Sequence, residues 1–473
     1  KRRLNVRATV FIQPMKPWRR LRSGAAILAG RLTSRLLRLV GRAATALPGK
    51  LALTLAPGLL ADLTAGRQVF LVTGTNGKTT TVRMLCRILE DQGRAVITNP
   101  SGANLDSGLT TTLLAHVPLL RQKAGRQAAL VFEIDEAFFG KLAATIKPAF
   151  CLVTNFFRDQ LDRFGELKHT RDLIAKGLRE SQAQAILCAD DSLCASLGRE
   201  SRQAVYFGLA EGQLRQTPDQ GGGESPFCVF CGSRYQYSGV AYGHLGLFRC
   251  PGCGFERSEP DLSFQSLALT ERSVEVRFAF GGQAAETTIP VPGLHNAYNA
   301  AGALLAAVRA GIPLADAAAS LSKTQAAFGR MERFAADGKE VCLILVKNPV
   351  GMERALDFVA RANDVGAVMM LLNANDPDGR DVSWIWDVRF EEAMPAGPIG
   401  VSGVRCADLA LRLRYAGKPS DELWVSPEHL ALFDRCLALC PQGRCLYILP
   451  NYTPLLALRA DLAPRYQLPE IWR

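Results

Sequence analysis

Residues 68–80 read Gln68-Val69-Phe70-Leu71-Val72-Thr73-Gly74-Thr75-Asn76-Gly77-Lys78-Thr79-Thr80. The apolar, β-branched run predicts a buried strand over 68–74 that ends in a turn, and Thr79 to Gln92 predicts a helix. A glycine-containing turn between a strand and a helix is the setting a phosphate loop requires. Backbone N–H groups wrap the phosphates there, and the helix N-terminus adds positive potential. Lys78 can neutralise terminal phosphates and the Thr79 hydroxyl can ligate Mg²⁺. The strict G-x-x-x-x-G-K-[ST] spacing is not met, because Val72 occupies the first glycine position. The loop is a shorter variant in which Gly74, Thr75, Asn76, Gly77, Lys78, Thr79 and Thr80 are the candidate phosphate contacts.

Further short apolar runs follow at Arg94–Thr98, Ala128–Ile134, Ala149–Thr154 and Ala185–Cys188, separated by helical stretches. Such alternation predicts a mostly parallel α/β sheet. Residues 262–290 alternate like antiparallel strands, Asn296–Ala310 reads as an Ala-rich helix, and Ala335–Lys339 reads as a linker. Beyond it, Val341–Val346 and Ala367–Leu372 restart an α/β pattern. The chain of 473 residues exceeds what one core sustains, so these breaks divide it. The expected units are a basic N-terminal segment (1–64), an ATP-binding domain (65–330) and a C-terminal α/β domain (331–473). Residues 211–225 read as a surface excursion.

The net charge of +12 is confined to one end. Residues 1–61 hold 13 Lys and Arg and no acid, whereas the other 412 residues carry 43 basic and 44 acidic groups. The neutral body argues against nucleic acid as a partner, since that needs a basic folded face. Arg31, Arg35, Arg38 and Arg42 share one helical stripe beside Leu28, Leu32, Leu36 and Leu39. This predicts a basic amphipathic helix, suited to an anionic lipid surface or docked on the body with solvated arginines. No uncharged apolar run is long enough to span a bilayer.

Among 13 cysteines, Cys228-x₂-Cys231 and Cys250-x₂-Cys253 stand 18 residues apart, and Gly232 and Gly254 follow the pairs. Four thiolates so spaced predict a structural Zn²⁺ ribbon at about 224–260 with no open coordination position. The segment is expected to have little core of its own and to draw its folding energy from the metal. The remaining cysteines are scattered through apolar segments, which suits a reducing cytosol.

The phosphate loop resembles that of the Mur ligase superfamily, and other segments match. In Val131-Phe132-Glu133-Ile134-Asp135-Glu136 the resemblance gives Glu133 a Mg²⁺ role, in keeping with the preference of a hard cation for carboxylate oxygen. Thr154-Asn155 and Asp159-Gln160-Leu161-Asp162-Arg163-Phe164 match a family segment whose metal-binding His is Gln160 here, so a second Mg²⁺ stays unassigned. His295-Asn296-x-x-Asn299 resembles the motif near adenine, which implies ATP contacts for Asn296 and Asn299. Gly329-Arg330-Met331-Glu332-Arg333 resembles the segment whose Arg, here Arg330, reaches the phosphates. At Val346-Lys347-Asn348-Pro349 the Asp expected before the turn is replaced by Ile344. The resemblance implies an α/β chain with a Mur ligase-type P-loop ATPase domain carrying the zinc ribbon, followed by a smaller Rossmann-like α/β C-terminal domain.

Leu371-Leu372-Asn373-Ala374-Asn375-Asp376-Pro377-Asp378-Gly379-Arg380, continued to the Trp384-Ile385-Trp386-Asp387 tetrapeptide, places polar residues just past an apolar strand, where α/β sheets set their ligands. With the ribbon, this stretch resembles the MurT family, the synthetase subunits of lipid II isoglutaminyl synthase. The resemblance implies a ligase that uses ATP to amidate the α-carboxyl of D-glutamate in the lipid II stem peptide. It also implies a glutaminase partner, GatD, in a heterodimer or larger complex, and a place in the cytoplasm at the inner membrane face. Catalytic roles fall on Lys78, Glu133 and Asp378, the last supporting the partner's Cys–His pair. No cysteine outside the four-cysteine group has the glycine-flanked setting of a glutaminase nucleophile. An amino-acid ligase of folylpolyglutamate or cyanophycin type, and a zinc-ribbon nucleic-acid ATPase, are the alternatives.

Overall fold

The computed structural model describes residues 17–39, 46–100, 103–120, 122, 127–157, 167–214, 225–270, 272–324 and 330–468, with backbone alone at 17–20 and 330. The helices that matter below are α1 (Pro17–Leu39), α2 (Leu47–Leu55), α3 (Lys78–Asp91), α4 (Asp106–Ala115), α5 (Glu136–Ile146), α6 (Leu294–Arg309), α7 (Pro349–Arg361) and α8 (Tyr452–Tyr466).

The first sheet uses β1 (Gln68–Thr73), β2 (Val96–Thr98), β3 (Ala129–Glu133), β4 (Phe150–Val153), β5 (Gln184–Cys188) and β6 (Gln203–Leu209). A separate hairpin, β7 (Gln236–Tyr242) with β8 (Leu245–Arg249), precedes β9 (Leu262–Leu269), β10 (Val274–Phe280) and β11 (Gln283–Ile289). The nine strands lie in the order β11-β10-β9-β6-β5-β4-β1-β3-β2. Pairing is parallel from β2 to β9 and antiparallel from β9 to β11. Both faces of the parallel part are covered, so β1, β3 and β4 are apolar along their length rather than alternating. Because β1 lies between β3 and β4, its C-terminal end is the point where the strand order reverses, and there the phosphate loop begins. The Ala-rich α6 is buried almost all round, and its small side chains let it approach α3 and the sheet closely.

The second sheet comprises β12 (Arg330–Ala336), β13 (Lys339–Ile344), β14 (Val365–Leu371), β15 (Ile399–Ser402), β16 (Leu423–Val425) and β17 (Cys445–Pro450). Its order is β12-β13-β17-β14-β15-β16, parallel except between β12 and β13. Here the structure corrects the sequence reading. Residues 335–339 are not a linker but the tight turn of the β12–β13 hairpin. Asp337 and Gly338 take φ of 50° and 77°, the left-handed pair of a two-residue hairpin turn. The second sheet therefore starts before the expected linker, at Arg330.

In the N-terminal segment, α1 and α2 pack on each other and on α4. Gly49 makes this possible. Its N–H donates to Thr111 Oγ1 at 2.9 Å, and a Cβ there would stand 1.9 Å from the Ser107 carbonyl oxygen. Gly49→Ala should therefore cost about 1–3 kcal/mol of local packing. The expected result is faster backbone hydrogen exchange across 17–64 with little change in the exchange of β1, β3 and β4.

Candidate functional site

The loop after β1 is held from beneath by the residues that follow β4. Thr75 N–H donates to the Asn155 carbonyl and Asn76 N–H to Asn155 Oδ1, both at 2.9 Å. Thr154 Oγ1 donates to the Asn76 carbonyl at 2.7 Å. Two glycines are obligatory. Gly74 has φ +117°, with Thr154 Oγ1 2.4 Å from the place a Cβ would take. Gly77 has φ +83°, and a Cβ would lie 2.0 Å from Asn299 Oδ1. Asn299 Nδ2 in turn donates to Asn296 Oδ1 at 3.1 Å, so the sequence-predicted α6 pair abuts the phosphate loop.

Lys78 is buried. Its ammonium donates to the Gly74 carbonyl at 2.7 Å and pairs with Glu136 Oε1 at 2.8 Å. Burial pushes the Glu136 carboxyl above its ordinary range, opposed by the charges of Lys78 and Lys347. Thr79 Oγ1 donates to Glu133 Oε2 at 2.8 Å. Register explains why: Val72 pairs with Glu133 across β1–β3, so the end of β3 lies beside the loop. The Asn99 side chain accepts from the Glu133 N–H at 2.9 Å and donates to the Glu133 carbonyl at 3.0 Å, and so fixes that strand end. A threonine hydroxyl and a carboxylate oxygen in contact, next to a phosphate loop, are hard donors that fit Mg²⁺.

The loop opens into a cleft of about 940 Å³ between the two sheet domains. Asn76, Gly77, Thr80 and Asn155 line one side, His295, Asn296 and Asn299 another, and Lys347, Asn348 and Arg354 the C-terminal side. Asn348 bridges the domains: its Nδ2 donates to Asn76 Oδ1 at 3.3 Å, while its Oδ1 caps α7 through the Gly351 N–H at 2.8 Å. Tyr242 and Gly243, at the tip of the β7–β8 hairpin, also line the cleft. The Arg354 guanidinium lies 3.4 Å from the Tyr242 ring centroid.

Asp378 lies beyond β14 and is buried. It accepts from Thr453 N–H at 2.7 Å, from the Thr453 hydroxyl, and from Asn375 N–H at 3.2 Å. Asn373 and Asn451 bind each other across the ends of β14 and β17. Tyr452, next along the chain, has its phenol pushed up by burial and by the charges of both Asp378 and Glu133. Of the two tryptophans in this signature, Trp384 packs in the C-terminal core, while Trp386 is half exposed.

The four cysteines converge. Their sulfurs lie within 4.8 Å of one another, with Cys228–Cys253 and Cys231–Cys250 separations of 3.6 and 3.3 Å. Zn–S bonds near 2.3 Å in a tetrahedron put sulfurs about 3.8 Å apart, so this donor set fits a closed Cys₄ centre. Gly232 and Gly254 take φ of +74° and +73° to form the two knuckles. Ser233, through its hydroxyl and its backbone, holds the Cys231 thiol down to about 6, toward the thiolate a metal takes. The ribbon is not coreless as expected: Tyr235, Tyr237, Phe248 and Phe255 form an aromatic cluster with Cys228 and Cys250.

Sequence reasoning did not assign Glu136, Asn155, Lys347, Asn348 or the Tyr242 hairpin tip. Glu136 was legible in principle, since Asp135 caps α5 and leaves the next acid turned toward the loop. The hairpin tip had no local signal, because it lies midway between the two cysteine pairs and only the fold turns it back toward the cleft. The Asp159–Phe164 segment, the Arg330 side chain and Arg42 lie outside the described residues.

Two family descriptions match the chain: Mur ligase middle domain over residues 72–237 and MurT ligase C-terminal over 345–455. The lipid II isoglutaminyl synthase (glutamine-hydrolyzing) subunit MurT of Streptococcus pneumoniae is 36% identical over 453 residues, covering 94% of this chain and 98% of that protein. Its Staphylococcus aureus (strain COL) counterpart is 30% identical over 407 residues, 84% of this chain and 88% of that one. Among solved structures, a pseudomurein peptide ligase type C from Methanothermus fervidus superposes with TM-score 0.64 at 19% identity, over 84% of this chain and 79% of that one. MurF from Acinetobacter baumannii gives 0.64 at 20%, over 88% and 80%, and these two show the shared fold. A phosphate loop at the switch point of a Mur-type sheet, joined to a MurT C-terminal domain along nearly the whole chain, makes this protein a member of the MurT family.

Proposed function

We propose that the chain is the ligase subunit of a lipid II isoglutaminyl synthase, converting the D-glutamate α-carboxyl of the lipid II stem peptide to an amide at the expense of ATP. The observation that carries this reading is a phosphate loop, with Lys78 on Glu136 and Thr79 on Glu133, that opens into a cleft whose far wall is a MurT-type domain. A carboxylate oxygen of the substrate attacks the γ-phosphorus, the bond to the bridging oxygen breaks, and ADP leaves an acyl phosphate. Ammonia nitrogen then attacks the acyl carbon, the C–O bond to phosphate breaks, and the surplus proton departs on inorganic phosphate. Mg²⁺, held by Thr79 and Glu133, would spread the charge of the transferring phosphoryl group. Lys78 places a fixed positive charge beside the same oxygens, and the loop amides give directional donors. Gly74, Thr75, Asn76, Gly77 and Thr80 shape the phosphate site, Asn296 and Asn299 face the nucleotide, and Arg330 reaches the phosphates.

Ammonia comes from a glutaminase subunit, GatD. The thiols of this chain support that division of labour. Eight of the nine cysteines outside the ribbon are buried, and burial raises Cys86 and Cys342 to about 12 and Cys436 to about 11, far from a nucleophilic thiolate. The family resemblance gives Asp378 the part of supporting the partner's Cys–His pair; in this chain its carboxylate is buried and held by Thr453 and Asn375, so it would act from within that network. The four cysteines hold Zn²⁺. Dependence on ATP and on a lipid-linked substrate places the enzyme in the cytoplasm, at the inner membrane face.

Three measurements test this. Lys78→Ala should abolish amidation and lower ATP affinity at least tenfold, with an unchanged circular dichroism spectrum; a folded variant with near-normal turnover would move the ATP site elsewhere. Protein purified without chelator should contain about one Zn²⁺ per chain by elemental analysis. Cys250→Ser should lose the metal and lower the thermal midpoint only partly, since the aromatic cluster persists. Asp378→Asn should cut glutamine-driven amidation in the complex by a factor of 100 or more, given what a His-orienting Asp contributes, with ATP affinity little changed. High ammonium chloride should restore part of the product. Normal glutamine hydrolysis without ammonium rescue would place Asp378 in the ligase step.

A further inference from the structure

Helix α1 packs on the body through small residues. Ser23, Ala26 and Gly30 are buried, and a Cβ at Gly30 would lie 2.6 Å from Leu114 Cδ1. At 3.6 residues per turn, Leu21, Leu28, Leu32, Leu36 and Leu39 fall on the opposite side of the helix from that packing face. Leu21, Leu28, Leu36 and Leu39 are 62–83% exposed, unusual for a leucine stripe three turns and more in length. Arg31, Arg35 and Arg38 run along its flank. The neighbouring α2 adds a second stripe, Leu47, Leu51 and Leu55, also exposed, with Lys50 beside it. The two helices are tied where Arg22 Nε donates to the Leu55 carbonyl. No carboxylate occurs in this surface. The first acid of the chain, Asp62, lies beyond it and accepts from Ser23 Oγ at 3.0 Å.

We propose that the α1–α2 surface is a monotopic docking face for anionic phospholipid, its leucines entering the acyl boundary and its arginines meeting headgroup phosphates. This deepens the functional reading above, since it rests on a lipid-linked substrate, and it names the surface that brings the cleft to that substrate. The composition selects this occupant. A second copy of the chain would set Arg31, Arg35 and Arg38 against the same arginines, which costs energy across a two-fold axis. An apolar protein groove would not call for a flank of unpaired basic residues, whereas a bilayer surface offers both hydrocarbon and negative charge. No helix among the described residues is long and apolar enough to cross a membrane, so the helices lie on the surface.

The test is co-sedimentation of the full chain, alone and with its glutaminase partner, on vesicles of phosphatidylglycerol and phosphatidylcholine and on vesicles of phosphatidylcholine alone. Binding is expected on the anionic vesicles, falling with salt. At about fivefold per charge, Arg31→Gln/Arg35→Gln/Arg38→Gln should weaken it on the order of 100-fold. Leu28→Glu/Leu36→Glu should abolish it. Both sets leave the packing face intact, so nucleotide affinity and thermal midpoint should match the wild type. Nucleotide affinity separates the two readings: its absence in the wild type would sink the ligase site while leaving the docking face. Three outcomes overturn the docking face: no binding to anionic vesicles, a concentration-dependent dimer that the leucine variants dissolve, or loss of the glutaminase complex in those variants.

Discussion

A buried ammonium group constrains the centre of this molecule. Lys78 sits beneath its own loop, and a charge so placed is tolerated only with a partner and with its protons satisfied. Glu136 supplies the charge, and the Gly74 carbonyl takes another proton. That need reaches outward. Glu136 must open a helix at the end of β3, so Asp135 must cap it, and β3 must run beside β1 in the register that also delivers Glu133. On the other side of β1, the end of β4 supplies Thr154 and Asn155 to hold the loop backbone. Three adjacent parallel strands thus converge on one cation, and the order β4-β1-β3 is the topology that brings them there.

The cleft depends on a second domain that touches this centre lightly. Asn348 reaches Asn76, Lys347 lies within the field of Glu136, and Arg354 rests on Tyr242. These are polar or stacking contacts made by the first residues of α7 and the turn before it. Val350 of α7 adds an apolar contact with the core of the first domain. Asn348 does two tasks, capping α7 with one amide atom and bridging to the phosphate loop with the other, so the orientation of the helix and the closure of the cleft are tied together.

How much was legible follows from where the signals lie. The phosphate loop, the strands around it and the Cys₄ ribbon are written in short contiguous runs, and 68–74, 79–92 and the four cysteines were found where the sequence placed them. What escaped was encoded in returns of the chain. Tyr242 comes back to the cleft from a hairpin far along the sequence, and the charge of Lys347 acts on Glu136 from another domain. Asp337-Gly338 was legible and misread: a dipeptide that accepts two positive φ values joins strands tightly and does not link domains. The ribbon's aromatic cluster was hidden in the same manner. Its four rings are spread from Tyr235 to Phe255; the β7–β8 register pairs Tyr237 with Phe248, and the two knuckle turns bring Tyr235 and Phe255 to them.

The placement of the ribbon bears on how the chain reaches its fold. β6 and β9 are neighbours in the large sheet, yet the whole cysteine segment lies between Leu209 and Leu262. Bringing those strands together means closing a long excursion, and the entropy of closure falls as the excursion is shortened by structure of its own. The paired β7–β8 hairpin and the two converging cysteine knuckles are such structure, and they draw the ends toward each other. The excursion is thereby shortened before β6 meets β9, the pairing on which the antiparallel edge of the sheet is built.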